Sequence, residues 1–158
     1  MPRVRRSRAI AADPQAVWAL VSDPAALPRW WPGVERVEEA SDRAWTQVLS
    51  SSRGKVVRAD FTRTEADPPR SLEWRQEIAE SPFERFLSEA TTRVSLDATG
   101  DGETRVELRA TRRLRGLALL GGPMVRLATR RQLDEALGGL AAAAAGAGSG
   151  GRERGPEE

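Results

Sequence analysis

The 158-residue chain contains no cysteine, no histidine and no tyrosine. Without cysteine there are no disulfides, no thiolate nucleophile and no sulfur ligand for a metal. Without histidine the usual general base near neutral pH is missing, and Ser-His or Cys-His nucleophile pairs cannot be built. Without tyrosine no phenol is present to polarise a carbonyl. A zinc site would have to be made from carboxylates alone, and no acidic cluster has the spacing for one. Neither a metal nor a cofactor is expected. Long apolar runs are lacking as well, since no stretch approaches the roughly 20 apolar residues of a membrane span. The basic opening "MPRVRRSRAIAADPQAVWAL" is cut by Asp13-Pro14 before it reaches signal-peptide length. Together these absences lead us to expect a soluble, cytoplasmic protein.

Lysine is nearly absent too. Of the 25 basic residues only Lys55 is lysine, so the sequence pI is about 10.2 although the formal net charge is only +2. An arginine skew of this kind is not by itself a nucleic-acid signal, and no nucleic-acid partner is expected. Its distribution is more informative. Residues 105–131 hold Arg105, Arg109, Arg112, Arg113, Arg115, Arg126, Arg130 and Arg131 against Glu107 alone, a local excess of seven positive charges. The plain expectation is a solvated face. The functional alternative is a strip that attracts a carboxylate, a phosphate or an anionic membrane surface.

What is present reads as one domain with a core large enough to stand alone. In "DPQAVWALVSDPAALPRWWPGV" (13–34), Asp13-Pro14 and Asp23-Pro24 each start a helix, with Asp as N-cap and Pro at the first helical position. Pro28 and Pro32 confine the second helix to one or two turns. The period then switches to two, giving strands at 34–40, 44–52, 55–65, 71–79, 83–99 and 104–114, with a further strand at 4–12. Short turns between them imply an antiparallel meander. Leu72, Trp74, Gln76 and Ile78 share one face of their strand, as do Val57, Ala59, Phe61 and Arg63, and Val106, Leu108, Ala110 and Arg112. One sheet face is therefore apolar with polar interruptions, and the other is charged. After "GLALLGG" (116–122), either a lid or a buried connection, Gly121-Gly122-Pro123 launches one long helix over 124–145. There Val125, Thr129, Leu133, Ala136 and Leu140 recur at helical spacing. The Gly-rich, charged remainder, 146–158, is expected to be disordered.

This order of elements, with "AVWALVSDPAALPRWWPGV", "ADPPRSLEWR" and "GGPMVRLATRRQLDEALGGL", resembles the START-like helix-grip superfamily (SRPBCC). Within it the chain is most similar to the polyketide cyclase/dehydrase and lipid-transport branch. The resemblance covers about residues 3–145 and implies an α+β fold: a seven-stranded curved antiparallel sheet (β-α-α-β6-α) wrapped around a long C-terminal helix, as a single domain over 1–145. It also implies a cavity between sheet and helix, closed at one end by the two short helices, and a first strand paired with the last. The residues expected to line that cavity are Trp31, Val57, Phe61, Arg63, Trp74, Gln76, Phe86, Thr92, Leu108 and Arg112 from turn and strands. Val125, Thr129 and Leu133 would face it from the helix. Core packing is the bland alternative for the aromatics. For Arg63 and Arg112 it is snorkelling at strand ends.

Inward polar groups are the better discriminator, because each buried without a partner costs ~1–3 kcal/mol. A dry core avoids them, and a cavity with water or a polar ligand head uses them. An empty apolar void of ~300 Å³ would cost on the order of 7 kcal/mol, comparable with a whole domain's stability of ~5–15 kcal/mol. The cavity is therefore expected to be wet, filled or partly collapsed. The leading function is binding of a small hydrophobic or amphipathic ligand, such as a lipid, an isoprenoid or a polyketide-like aromatic. A cyclase/aromatase-type enzyme is the alternative, disfavoured because Asp60, Glu77 and Glu107 fall on outward faces. A protein-interaction or stress-response module using the basic face is the third.

Overall fold

The computed structural model describes residues 3–50, 53–100 and 102–149. Alternating apolar and polar side chains form seven strands: β1 (Arg3–Ile10), β2 (Val34–Glu38), β3 (Ala44–Ser50), β4 (Val56–Asp67), β5 (Ser71–Glu77), β6 (Leu87–Gly100) and β7 (Glu103–Leu114). They build one antiparallel sheet in the order β1-β7-β6-β5-β4-β3-β2. Only β1 leaves sequence order, pairing with β7 from Arg3↔Thr111 to Ile10↔Thr104. Register shifts between Arg63 and Glu65 and between Leu87 and Glu89 insert bulges that bend their strands and help the sheet curl. The α+β order is the one expected.

Strand edges differ from expectation in places. β6 begins at Leu87, not 83. The intervening Ser81–Phe86 segment is a turn in which Ser81 Oγ donates to the Ile78 carbonyl, and Leu87 N reaches back to Phe83 O at 3.0 Å. Pro82 and this local bonding outcompete the alternation. β1 stops at Ile10, and β5 at Glu77.

Between β1 and β2 the two Asp-Pro pairs work unequally. Helix α1 (Pro14–Val21) starts with Pro14 in its first turn, but the Asp13 side chain makes no capping hydrogen bond. Asp23 does cap: its carboxylate accepts from Ala25 N at 3.0 Å at the start of a 3₁₀ turn, Pro24–Ala26, which leads into α2 (Leu27–Trp30). The third helix, α3 (Gly122–Ser149), outruns both expected ends, so 146–149, expected to belong to the tail, are helical. Residues 150–158 lie outside the described segments.

The core sits between the concave sheet face and α3. Leu133, Ala136, Leu137, Leu140 and Ala144 fall at helical spacing and are buried against β1, α1 and α2, along with Val4, Ile10, Leu72, Val94, Val106 and Leu108. Gly139 is the closest crossing: a Cβ there would lie 2.4 Å from the Trp30 carbonyl oxygen of α2. The two short helices thus clamp the C-terminal half of α3 to the sheet. Its N-terminal half has no such clamp, and Met124 and Leu127 are exposed. The hollow of the fold lies beneath that half. On the opposite sheet face Val48 is also fully buried. It is flanked in register by Arg36 and Arg58, which both bond Glu38.

Candidate functional site

Under the unclamped half of α3 lies a cavity of about 370 Å³. Strands β3 to β7 supply its wall with Gln47, Leu49, Phe61, Trp74, Gln76, Ala90, Thr92 and Arg112. Trp31, Pro32 and Gly33 close one end, Gln132 comes from α3, and Phe83, Phe86 and Leu87 stand near the exposed rim. A second, apolar cleft of about 540 Å³ shares Phe86, Leu87, Arg112 and Gln132. It continues between β7 and α3 past Leu114, Met124, Val125, Ala128 and Thr129. The segment 116–122 forms a 3₁₀ turn (Gly116–Gly121) above this cleft, with Leu119 and Leu120 64% and 84% exposed. It is not a buried connection.

Trp74 is the hub of an aromatic cluster at the closed end. Its ring centroid lies 5.6 Å from Trp31, 6.4 Å from Trp30 and 6.1 Å from Trp45, all edge-to-face, while Trp45 stacks on Phe61 at 6.0 Å. Such pairs hold rings rigidly and add ~0.5–1.5 kcal/mol each beyond their burial. The plug built by α1 and α2 therefore delivers Trp30 and Trp31 to the sheet, which explains two tryptophans on a proline-rich turn.

The sheet register places the polar groups. Trp45 pairs with Phe61, Phe61 with Gln76, and Ala90 with Arg112. Trp74↔Thr92 and Arg75↔Thr91 carry the β5–β6 register to the point where Gln76 comes level with Ala90. Gln76, Ala90 and Arg112 thus form one row across three strands, on the concave face. Neighbouring strands are ~4.8 Å apart, so Gln76 and Arg112 stand on either side of a gap floored by the Ala90 methyl. The Gln76 Nε2 atom is buried there with no hydrogen-bond partner.

Arg112 keeps some surface toward the cavity, yet its guanidinium is packed among protein atoms on nearly all sides. Its Nη1 donates to the Thr91 and Thr111 carbonyls at 2.8 and 3.1 Å, and Nη2 reaches Thr92 Oγ1 at 3.5 Å. No carboxylate pairs with it among the described residues. Burial without a counter-charge pushes its pKa down to about 10. Arg112 is the single charged residue on the cavity wall, and neither cavity nor cleft is lined by Asp, Glu or Lys among the described residues.

Trp31, Phe61, Trp74, Gln76, Phe86, Thr92 and Arg112 line the cavity, and Val125 and Thr129 line the adjoining cleft. Four expected wall residues lie elsewhere. Leu108 and Leu133 are fully buried in the core, where sheet and helix touch. Val57 is half-buried on β4 opposite Leu49 and reaches neither space. Arg63, in register opposite Trp74 just before the β4 bulge, serves the plug and not the cavity: its Nη2 donates to the Ser22 carbonyl at 2.6 Å, capping the end of α1. Burial lowers its pKa, with Asp42 and Asp23 opposing. Gln47 and Gln132 are wall residues that the sequence reading omitted. Gln47 alternates with Trp45 and Leu49, and Gln132 is three residues beyond Thr129 on α3, so both were legible. No group of three or more potential metal-ligating side chains occurs among the described residues.

A curled antiparallel sheet gripping a C-terminal helix over an internal cavity is the architecture of START-like helix-grip proteins. A START superfamily protein from Mycobacterium smegmatis superposes with a TM-score of 0.73 at 15% identity, covering 90% of this chain and 96% of that one. The Zhui aromatase/cyclase from Streptomyces sp. R1128 gives 0.74 at 16%, covering 90% and 92%. TTHA0849 from Thermus thermophilus gives 0.73 at 24%, covering 92% and 99%. No curated protein sequence matches the chain. Residues 1–145 match the model of the family described as polyketide cyclase / dehydrase and lipid transport, and the chain belongs to that family.

Proposed function

We propose that the protein is a cytoplasmic binder of one small hydrophobic or amphipathic ligand, held in the cavity between the sheet and the N-terminal half of α3. The observation that carries this reading is the cavity itself, a hollow of about 370 Å³ with aromatic walls and one unpaired polar atom, Gln76 Nε2. Its volume is at the small end for ligand sites. The adjoining cleft under Ala118, Met124 and Val125 supports entry from that side. The outward arginines of the basic strip contribute less, because Arg109 and Arg113 already pair with Glu107 and Glu89. Membrane attraction through the strip is therefore no part of this reading.

A cyclase/aromatase activity is the second reading, favoured by the family and by the aromatase/cyclase among the structural neighbours. The wall chemistry weighs against it. Proton transfer near neutral pH needs a group with a pKa in that range, whereas Arg112 is the only ionisable wall residue among the described residues. Native mass spectrometry of the freshly purified protein tests the binder. A stoichiometric mass excess, released as an extractable hydrophobic compound, is expected. An apo mass only, with no uptake of a neutral hydrophobic dye, would overturn the reading. Turnover of a polyketide-type substrate would replace it with the second.

A further inference from the structure

Two features of the cavity wall lack partners of their own kind. Arg112 is a largely buried cation with no carboxylate partner among the described residues, satisfied in part by the Thr91 and Thr111 carbonyls. Gln76 Nε2 is a buried donor with no acceptor. Both stand in the same cross-strand row and on the same face, with only the methyl group of Ala90 between them. A larger residue at 90 would fill the gap. Alanine leaves the smallest side chain between two residues that both carry N–H donors.

Uncompensated burial of a charge and of an amide donor is costly. A single ligand group that accepts from both would relieve the two at once. That group must be an acceptor with at least two oxygens, and one negative charge matches the one positive charge on the wall. A planar carboxylate meets the guanidinium fork and the amide together. A doubly charged phosphate monoester would leave one charge unmatched against the Trp31, Trp74 and Phe61 side of the cavity. The remainder of the wall is largely aromatic and aliphatic, with Leu49, Phe83, Phe86 and Leu87 toward the opening, and calls for an apolar body.

We propose that the cavity takes a hydrophobic monocarboxylic acid, its carboxylate seated over Ala90 between the Arg112 guanidinium and the Gln76 amide. This rests on the reading of the cavity as a ligand site, and adds to it the chemical class of the ligand and the end at which it is held. The Arg112 pKa of about 10 keeps the guanidinium charged throughout the neutral range, so the site is competent wherever the acid is ionised. The apolar body then extends past the tryptophans or along the cleft toward Val125 and Thr129.

The test compares 2-naphthoic acid with 2-naphthalenemethanol, its neutral counterpart of nearly equal shape, by calorimetric titration of the full chain at pH 7.5. The acid should bind at least tenfold more tightly than the alcohol. In Arg112→Met that preference should vanish, with folding checked by circular dichroism. Should Arg112→Met fail to fold, Gln76→Met decides, since it removes one donor at constant size and should cut the preference several-fold. Equal binding of acid and alcohol by the native protein would overturn the carboxylate assignment and leave the binder reading standing, as would a preference that survives in the folded Arg112→Met variant. Failure of both compounds and of the neutral dye N-phenyl-1-naphthylamine to bind would bring down the binder reading itself.

Discussion

Arg112 is where stability and function oppose each other most clearly at the scale of single residues. Its guanidinium is desolvated without a carboxylate, and its depressed pKa is the signature of that cost. Replacing a buried charge by an apolar side chain of similar length is often neutral or stabilising. Arg112→Met should therefore leave the ligand-free protein as stable as the native one, or up to about 2 kcal/mol more stable, by urea denaturation monitored through tryptophan fluorescence. A loss of more than about 1 kcal/mol would show instead that the bonds to the Thr91 and Thr111 carbonyls hold β6 and β7 together. Strand parity made Trp74, Gln76, Thr92 and Arg112 legible as inward residues, because alternation is a local property of the chain. Parity also placed Arg63 inward, opposite Trp74, but could not show that its guanidinium would reach the Ser22 carbonyl at the end of α1 and not the cavity. It also could not separate cavity from core: Leu108 and Arg112 share a face of β7, but only Arg112 lies under the half of α3 that stands away.

At the scale of elements, the position of α3 decides whether there is a cavity. The C-terminal half is held by one close crossing, where Gly139 lies against the Trp30 carbonyl. Gly139→Ala forces backbone apart and should destabilise by about 1–3 kcal/mol. At the neighbouring Gly138 an added Cβ would meet only Arg8 Nη1, at 3.7 Å. Gly138→Ala should therefore stabilise by about 0.5–1 kcal/mol through helix propensity. Thermal unfolding of the two variants side by side checks the contrast, and equal effects would mean that α3 does not depend on the α2 crossing. Most elements were readable from period and punctuation, including both Asp-Pro starts. The edges were less so. The turn over Ser81–Phe86 takes the first residues assigned to β6 because Ser81 and Phe83 find local partners. The last turn of α3, 146–149, extends into the Gly-rich stretch that composition alone assigned to the tail.

At the scale of the whole molecule, the fold is a sheet whose two ends are treated differently. Toward β1 the concave face is sealed by α3, α1 and α2. Toward β4 and β5 it carries the tryptophan hub and, under the free half of the helix, the cavity. The order of elements and the apolar face announced this architecture. The location of the hollow did not follow from the sequence, because it depends on a helix tilt set by contacts far apart in the chain. The central claim is that this hollow accepts a ligand. Titration of the purified protein with the neutral dye N-phenyl-1-naphthylamine, read by energy transfer from Trp31, Trp45 and Trp74, tests it most directly. Saturable one-to-one uptake with sub-millimolar affinity, abolished by filling the gap with Ala90→Trp, is the result this account requires. Uptake that never saturates, or that proceeds unchanged in a folded Ala90→Trp variant, would contradict it.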